Sequence, residues 1–530
     1  MQKQRVIAVL GVIAALALLI GFSLWGRVLA LRPAPVLVGQ KSQPLATKFI
    51  SKQAPLVASL LVNPDRLGLA ARLFTAPSHR RQLRQEWQAW HSLIQQNWLV
   101  DYDRYISAWA GDELTLAVTT ADLDRDGSNG LQPGYLIAVA IAQPQRARRD
   151  LERFWQNLAA QGANLLFEQH EGIPIITTDT TPSVAGATLG NYAIFANDVR
   201  VIRNAINDLQ VSDLSLANSS RYRTILANLK EKRIGFAFIN LTELGDWGTT
   251  AGFLGTPVQV LPAASVGVGL RVKNGQVEGE VLLVGDRPWT ESASSPTAAN
   301  GLVKLLPPHT TVLAGHDLQT TWQNLRASLT PYPGLQQLVQ KLVDDLGQAI
   351  GFNLETDIFT WVRGDYALAI GADSNWLFLA AKTPDVNTSA ALENLDKDAQ
   401  QRLTVGKINL KNHELTVWTD LQASDPTIVK GRVHAVHSST DRVVGFASSV
   451  PVLIAALDGS TTPAPLPKQD FAHFDRAVAL PAFTDLLQET MPTLPNLVSP
   501  LLHHLQSVTI ARLPSSTNTV LRGQIFLQLQ

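Results

Sequence analysis

The 530-residue chain opens with a run, Val6 to Gly26, that contains no charged side chain. As a helix rising about 1.5 Å per residue, this run reaches roughly 30 Å, the thickness of a bilayer hydrocarbon core. A helix of that kind satisfies its backbone polar groups internally and needs no soluble core around it. The spacing predicts a single-pass membrane anchor over 1–31, with the remaining chain held at a membrane. Lys3 and Arg5 precede the run, so the positive-inside rule leaves the N-terminus cytoplasmic and the bulk of the chain on the other side. Arg27 and Arg32 pull the opposite way. No small-x-small cleavage site and no lipidation cysteine follow the run, which favours retention over cleavage.

Beyond the anchor the composition limits the choices. Hydrophobic residues make up 45%, ample for at least two ordinary cores. Lys+Arg 44 balance Asp+Glu 44, leaving no net field to attract a polyanion, so nucleic acid is not the expected partner. With Cys 0 the chain has no disulfide, no thiolate metal site and no cysteine nucleophile.

Pro33, Pro35, Gly39, Ser42 and Pro44 break any periodicity and predict a linker over 32–47. A strand is expected at 56–62. Leu83, Trp87, Trp90 and Ile94 then recur at helical spacing, an amphipathic helix that packs its indoles inward. Strands 113–120 and 135–141 form a hairpin, and a helix begins at Pro144 and stops before Gly162. Short strands follow at 164–168, 173–177 and 192–196. Asp198 is placed to cap a helix reaching Leu209, a further helix covers 221–229, and strands at 235–241, 265–272 and 277–284 close the first half.

After a polar stretch at 287–301 the same order of elements returns. Trp361-Val362-Arg363-Gly364-Asp365 answers Trp109-Ala110-Gly111-Asp112, in each case just ahead of a strand. With Trp 12 in the whole chain, a Trp leading into Gly-Asp at matching places predicts an internal duplication. Strands 366–370, 376–381, 405–410, 415–418, 433–436 and 443–446, and helices 389–399 and 450–457, repeat the first half. Terminal strands 508–512 and 520–529 then match the hairpin at 266–284. The expected fold class is α+β: an N-terminal transmembrane helix, then two repeated domains over 48–286 and 302–530. Each is an antiparallel sheet with helices packed on one face.

The anchor, the order of elements and the two Trp-to-Gly-Asp landmarks resemble a family of membrane-anchored cyanobacterial proteins known only as domain of unknown function 3352. Ser51-Lys52 departs from the Leu-Pro that precedes the first strand elsewhere, as at Leu306-Pro307. The resemblance implies fold and location, with the bulk in a periplasm or thylakoid lumen, and assigns no activity.

Each candidate site has an ordinary reading beside it. Asp122, Asp124, Asp126 and Gly127 have the spacing that opens a calcium loop, but the twelfth position is Pro133 rather than a bidentate Glu, and acidic turns are common. Arg146, Arg149 and Arg153 share a helix face, and His79, Arg80, Arg81 and Arg84 crowd a helix start. Both suit anionic lipid or an acidic partner, or simply solvent. His434 and His437 lie three apart on a strand, facing opposite sides, and His503 and His504 are adjacent on a helix, so neither pair makes a ligand set. Asp112 and Asp365 each begin a strand. No nucleophile elbow, phosphate loop or dinucleotide fingerprint is present. No catalytic residue, cofactor or metal is therefore expected. The leading expectation is a non-enzymatic, membrane-anchored extracytoplasmic binding or scaffolding protein; the alternative is a carrier or sensor of a lipophilic ligand.

Overall fold

The computed structural model describes residues 43–65, 101–124, 126, 132–180, 183–229, 232–243, 264–273, 276–286, 300–307, 311–329, 340, 343–344, 347–348, 352–371, 375–425, 428–459, 471–475, 505–517 and 519–529. The predicted anchor, the helix carrying Trp87 and Trp90, and most of the stretch at 287–301 lie outside these residues. Among the described residues no helix is long and apolar enough to cross a membrane. The chain forms two compact units. The first takes the described residues up to 286 together with 505–506, 515–517 and 519–529, and the second takes those from 300 to 475 together with 507–514.

The first unit is built on Leu56–Leu60 (β1), Ala110–Thr120 (β2), Gly134–Ile141 (β3), Leu165–His170 (β4), Ile173–Thr178 (β5), Ala185–Leu189 (β6), Tyr192–Ala196 (β7), Gly235–Asn240 (β8), Ala264–Lys273 (β9) and Gln276–Gly285 (β10). It is completed by the last strand of the chain, Val520–Leu529 (β20). Every pairing is antiparallel, in the order β4-β5-β6-β7-β3-β2-β1-β8-β9-β10-β20.

The second unit uses Thr311–His316 (β11), Asp365–Ile370 (β12), Trp376–Ala381 (β13), Thr404–Leu410 (β14), His413–Asp425 (β15), Ile428–Ser439 (β16), Val443–Ala447 (β17), Phe471–Asp475 (β18) and the central part of Leu505–Thr517 (β19). Their order is β14-β15-β16-β17-β13-β12-β11-β18-β19, again antiparallel throughout. Strand for strand this repeats the first unit from β4 to β9, so the duplication read from the Trp landmarks is present in the topology.

Matching local chemistry accompanies the shared order. The Trp109 indole N–H donates to the Tyr105 carbonyl, and that of Trp361 donates to the Asp357 carbonyl at 2.7 Å, each reaching back four residues before its strand begins. Asn197 Oδ1 accepts from the Tyr135 amide at 2.7 Å, and Ser448 Oγ accepts from the Trp376 amide at 3.1 Å. Both tie the end of one central strand to the start of its neighbour. The turns Glu171-Gly172 and Lys411-Asn412 both have positive φ throughout, the two-residue geometry that suits the twist of a hairpin.

Helices cover both faces of each sheet, not the single face that the sequence suggests. In the first unit Pro144–Ala160 (α1) sets Phe154 5.8 Å from Phe195 and lays Trp155 over Gly186, where a Cβ would come within 2.7 Å of the indole. Neighbouring strand residues face opposite ways, so Ile194 looks to the other side. There Val199–Gln210 (α2) buries Val201, Ile202, Ala205 and Ile206 with it. Ser220–Asn228 (α3) also lies on that second side, with Ile225 over Gly267. In the second unit Thr388–Gln400 (α4) joins the core of Phe378 and Phe446. Val450–Leu457 (α5) puts Leu453 against Gly445 and next to Leu379 on the reverse face.

Three differences from the sequence reading have physical causes. The predicted linker 32–47 reaches too far, because Ala46 and Thr47 are buried under α2 and α3. Strand β6, with sequence Ala-Gly-Ala-Thr-Leu, has Thr188 as its one strand-favouring side chain, and Gly186 leaves the space that Trp155 fills. Finally, β20, expected only as the partner of β19 in a closing hairpin, also runs along β10 from Val277↔Leu527 to Val284↔Val520, a strand edge that no local pattern reveals.

Candidate functional site

Equivalent rows of the two sheets differ in chemistry. In the first unit Phe167, Ile176 and Gly186 stand side by side across β4, β5 and β6, with Gly186 under Trp155. The corresponding row of the second unit is Lys407, Thr416 and His437 across β14, β15 and β16. Helix α4 brings Asp396 to this row. Its Oδ1 accepts from the Trp418 indole at 2.7 Å and lies 2.9 Å from His437 Nε2. A carboxylate only accepts, so Nε2 carries a proton toward it. His437 is 5% exposed, packed between Trp418 and Phe446.

Burial alone would raise the Asp396 carboxyl. The hydrogen bond and charge of His437, the Trp418 hydrogen bond and the nearby Lys407 outweigh it and hold the group below the usual carboxylate range. Lys407 is itself raised, first by its bond to Glu414 at 2.8 Å. Desolvating Asp396 and His437 is costly where apolar packing would serve. Here the copies depart in polarity, and this dyad is the candidate site.

Two further His–Asp pairs stand nearer the surface of the second unit. His316 Nδ1 lies 2.8 Å from Asp365 Oδ1, giving the landmark Asp365 a structural partner. His413 Nε2 lies 3.2 Å from Asp458, which Lys411 also approaches at 3.5 Å. Asp112 takes the matching place in β2 of the first unit.

In the first unit the buried polar centre is Glu113, fully enclosed. It accepts from the Ala46 amide at 2.8 Å and from the Tyr192 hydroxyl at 2.7 Å, tying in the end of the predicted linker. Burial first, and then the Glu113 charge, push the Tyr192 hydroxyl up.

The remaining sequence candidates are placed as follows. Asp126 N–H donates to Asp124 at 3.0 Å and Gln132 N–H to Asp122 at 3.2 Å, while Arg200 reaches the Leu123 carbonyl at 3.3 Å and its charge faces Asp122 and Asp124. A cation of the protein thus already faces this loop, and among the described residues no cluster of three or more acids or histidines suits a metal ion. Arg146 and Arg153 both lean on Asp150, at 3.7 and 3.4 Å, and Arg149 is exposed on the same helix. His434 is exposed beside an irregularity in the β15–β16 register while His437 is buried, so the two do face apart. His79, Arg80, Arg81, Arg84, Gly127, His503 and His504 lie outside the described residues. The Asp396–His437–Trp418 contact and the Glu113–Tyr192 contact escaped the sequence reading. Aligning the turns Glu171-Gly172 and Lys411-Asn412 would have set Phe167 against Lys407 and exposed the change of chemistry.

The fold and site define a class: a duplicated α+β protein whose antiparallel sheets carry helices on both faces, with an acid–imidazole dyad around a buried His437 that, among the described residues, the first copy does not repeat. The chain belongs to the family described as "Protein of unknown function (DUF3352)", which it matches over residues 10–529. No curated protein matches it. Among solved structures it is similar to crystal forms IV and III of TP0453, each at 10% identity, with TM-scores of 0.23 and 0.24. The matches cover 46% and 47% of this chain and 80% and 82% of those. Likeness at that level carries no argument about fold or function.

Proposed function

We propose that this chain is a non-enzymatic binding or scaffolding protein, anchored by its N-terminal apolar run and exposed on the extracytoplasmic side of a membrane. The observation that carries the reading is the divergence of the equivalent rows: the apolar Phe167–Ile176–Gly186 row, exposed at Phe167, in one copy, and the Lys407–Thr416–His437 row with Asp396 in the other. One scaffold built twice with different surface chemistry suits recognition of a partner. The dyad favours positioning over proton transfer, because Asp396 Oδ1 already accepts from Trp418 and faces His437, and a general base needs reach to a substrate proton.

The test is cross-linking of the full chain in its native membrane followed by identification of adducts, comparing the natural chain with Lys407→Glu. A protein adduct that weakens in the variant supports the reading. A lipid retained in native mass spectrometry, with no protein adduct, would favour a lipophilic-ligand carrier, and turnover on a broad hydrolase panel abolished by His437→Gln would overturn the non-enzymatic assignment.

A further inference from the structure

Among the described residues β4 is hydrogen-bonded on one side only, to β5. Its other edge is open, and it carries Phe167 at 73% and Leu166 at 55% exposure. Folded proteins guard such edges with Lys, Pro or a bulge. Leu165–His170 has none of these. Its one carboxylate, Glu168, is neutralised by Arg203 through two hydrogen bonds of 2.8 and 2.6 Å.

The direction of the free backbone groups follows from the turn. A two-residue hairpin turn at Glu171-Gly172 closes on His170↔Ile173, which is a hydrogen-bonded pair. Alternation then points the amides and carbonyls of Leu166, Glu168 and His170 toward β5, and those of Leu165, Phe167 and Gln169 toward the open edge. This outward set is symmetric about Phe167. We propose that β4 pairs antiparallel with β4 of a second copy across a two-fold axis at Phe167, extending the sheet from one protomer into the next.

In that register Phe167 meets the partner's Phe167 and Leu165 meets the partner's Gln169, so all outward backbone groups are bonded. The aromatic pair lies on one face, and Leu166 covers the neutralised Glu168 on the other. Sliding the centre to Glu168 would oppose two carboxylates, and sliding it to Leu166 would lose backbone bonds. The matching edge of the second unit, β14, is guarded. Its turn Lys411-Asn412 closes on Leu410↔His413, so the same alternation puts Lys407 at the symmetric centre, where two ammonium groups would face each other. The proposal uses neither the dyad nor the anchor; it shares with the binding reading the contrast between Phe167 and Lys407, and its cysteine test leaves Lys407 untouched.

The chain has Cys 0, so single introduced cysteines report without background. Hydrogen-bonded antiparallel pairs have Cα atoms about 5.5 Å apart, within disulfide reach. In the full chain in detergent, Phe167→Cys is expected to form a covalent dimer under mild oxidation at least about tenfold faster than Gln169→Cys or Asn409→Cys, the proximity effect of a docked pair. Phe167→Asp is expected to shift the natural chain from dimer to monomer in sedimentation with an unchanged circular dichroism spectrum, since this side chain is outside the core. A monomer at every concentration, equal rates for the three cysteines, or an adduct of Phe167→Cys with a different protein would overturn the pairing.

Discussion

Tyr192 donates its hydroxyl to Glu113 Oε2 at 2.7 Å inside the first unit, while Oε1 of the same carboxylate holds the Ala46 amide at 2.8 Å. Removing the acid strands both of these buried donors and also takes away the longer contact from the Thr115 hydroxyl at 3.4 Å. Glu113→Ala is expected to destabilise the chain by about 3 kcal/mol, and Tyr192→Phe by about 1 kcal/mol, because the second change removes one bond and leaves the carboxylate its other partners. Urea unfolding followed by intrinsic fluorescence checks both; equal losses would mean that the Ala46 contact contributes nothing.

Asp396 titrates lower in the folded chain than in the unfolded one, despite burial, because His437, Trp418 and Lys407 favour its charged form. The unfolded state therefore binds more protons as the pH falls. The stabilisation from this group is fully present above its ordinary value of 3.8 and is lost as pH drops through the lower folded value. Asp396→Asn is expected to be less stable than the natural chain at pH 7 and to approach it below about pH 4. Unfolding midpoints measured across that window decide the matter.

Asp208 behaves in the opposite sense. Burial on α2 raises its carboxyl from 3.8 to about 7, so the folded chain holds a proton that the unfolded chain has released. Stability from this group is greatest below pH 3.8 and declines as pH rises toward 7, after which the cost is constant. Asp208→Asn, which resembles the protonated acid, is expected to raise the melting temperature at pH 8 and leave it unchanged at pH 3.5. A uniform shift at both would assign the effect to packing instead.

Calcium is not expected to bind at the loop of Asp122, Asp124 and Asp126. Arg200 faces it, and Asp122 and Asp124 already accept backbone amides. Titration calorimetry at millimolar calcium should give only dilution heat, and Arg200→Ala should be needed before any binding heat emerges.

Helices and hairpins were legible wherever a periodic apolar pattern met a definite stop. Val450–Leu457 and Tyr192–Ala196 fall where the sequence puts them, and Asp198 caps α2 through the Arg200 amide at 2.8 Å. Phe471–Asp475 was missed because five residues with a central His and a terminal Asp give little alternation. Only the repeat logic demands it, as the counterpart of β8. The candidate site was less legible: Asp396 and His437 are 41 residues apart, and neither stands in a motif.

By itself the sequence determined the class of fold and its doubling, because side-chain period and turn chemistry act between near neighbours, and the same landmarks recur around Trp109 and Trp361. Tertiary structure decided which strand closes which sheet and which polar groups are buried together. Val520–Leu529 pairs with Gln276–Gly285, and Asp396 meets His437, through contacts between distant segments. Their free energy depends on the apolar edge and the desolvated space that the folded chain creates, which no local pattern encodes.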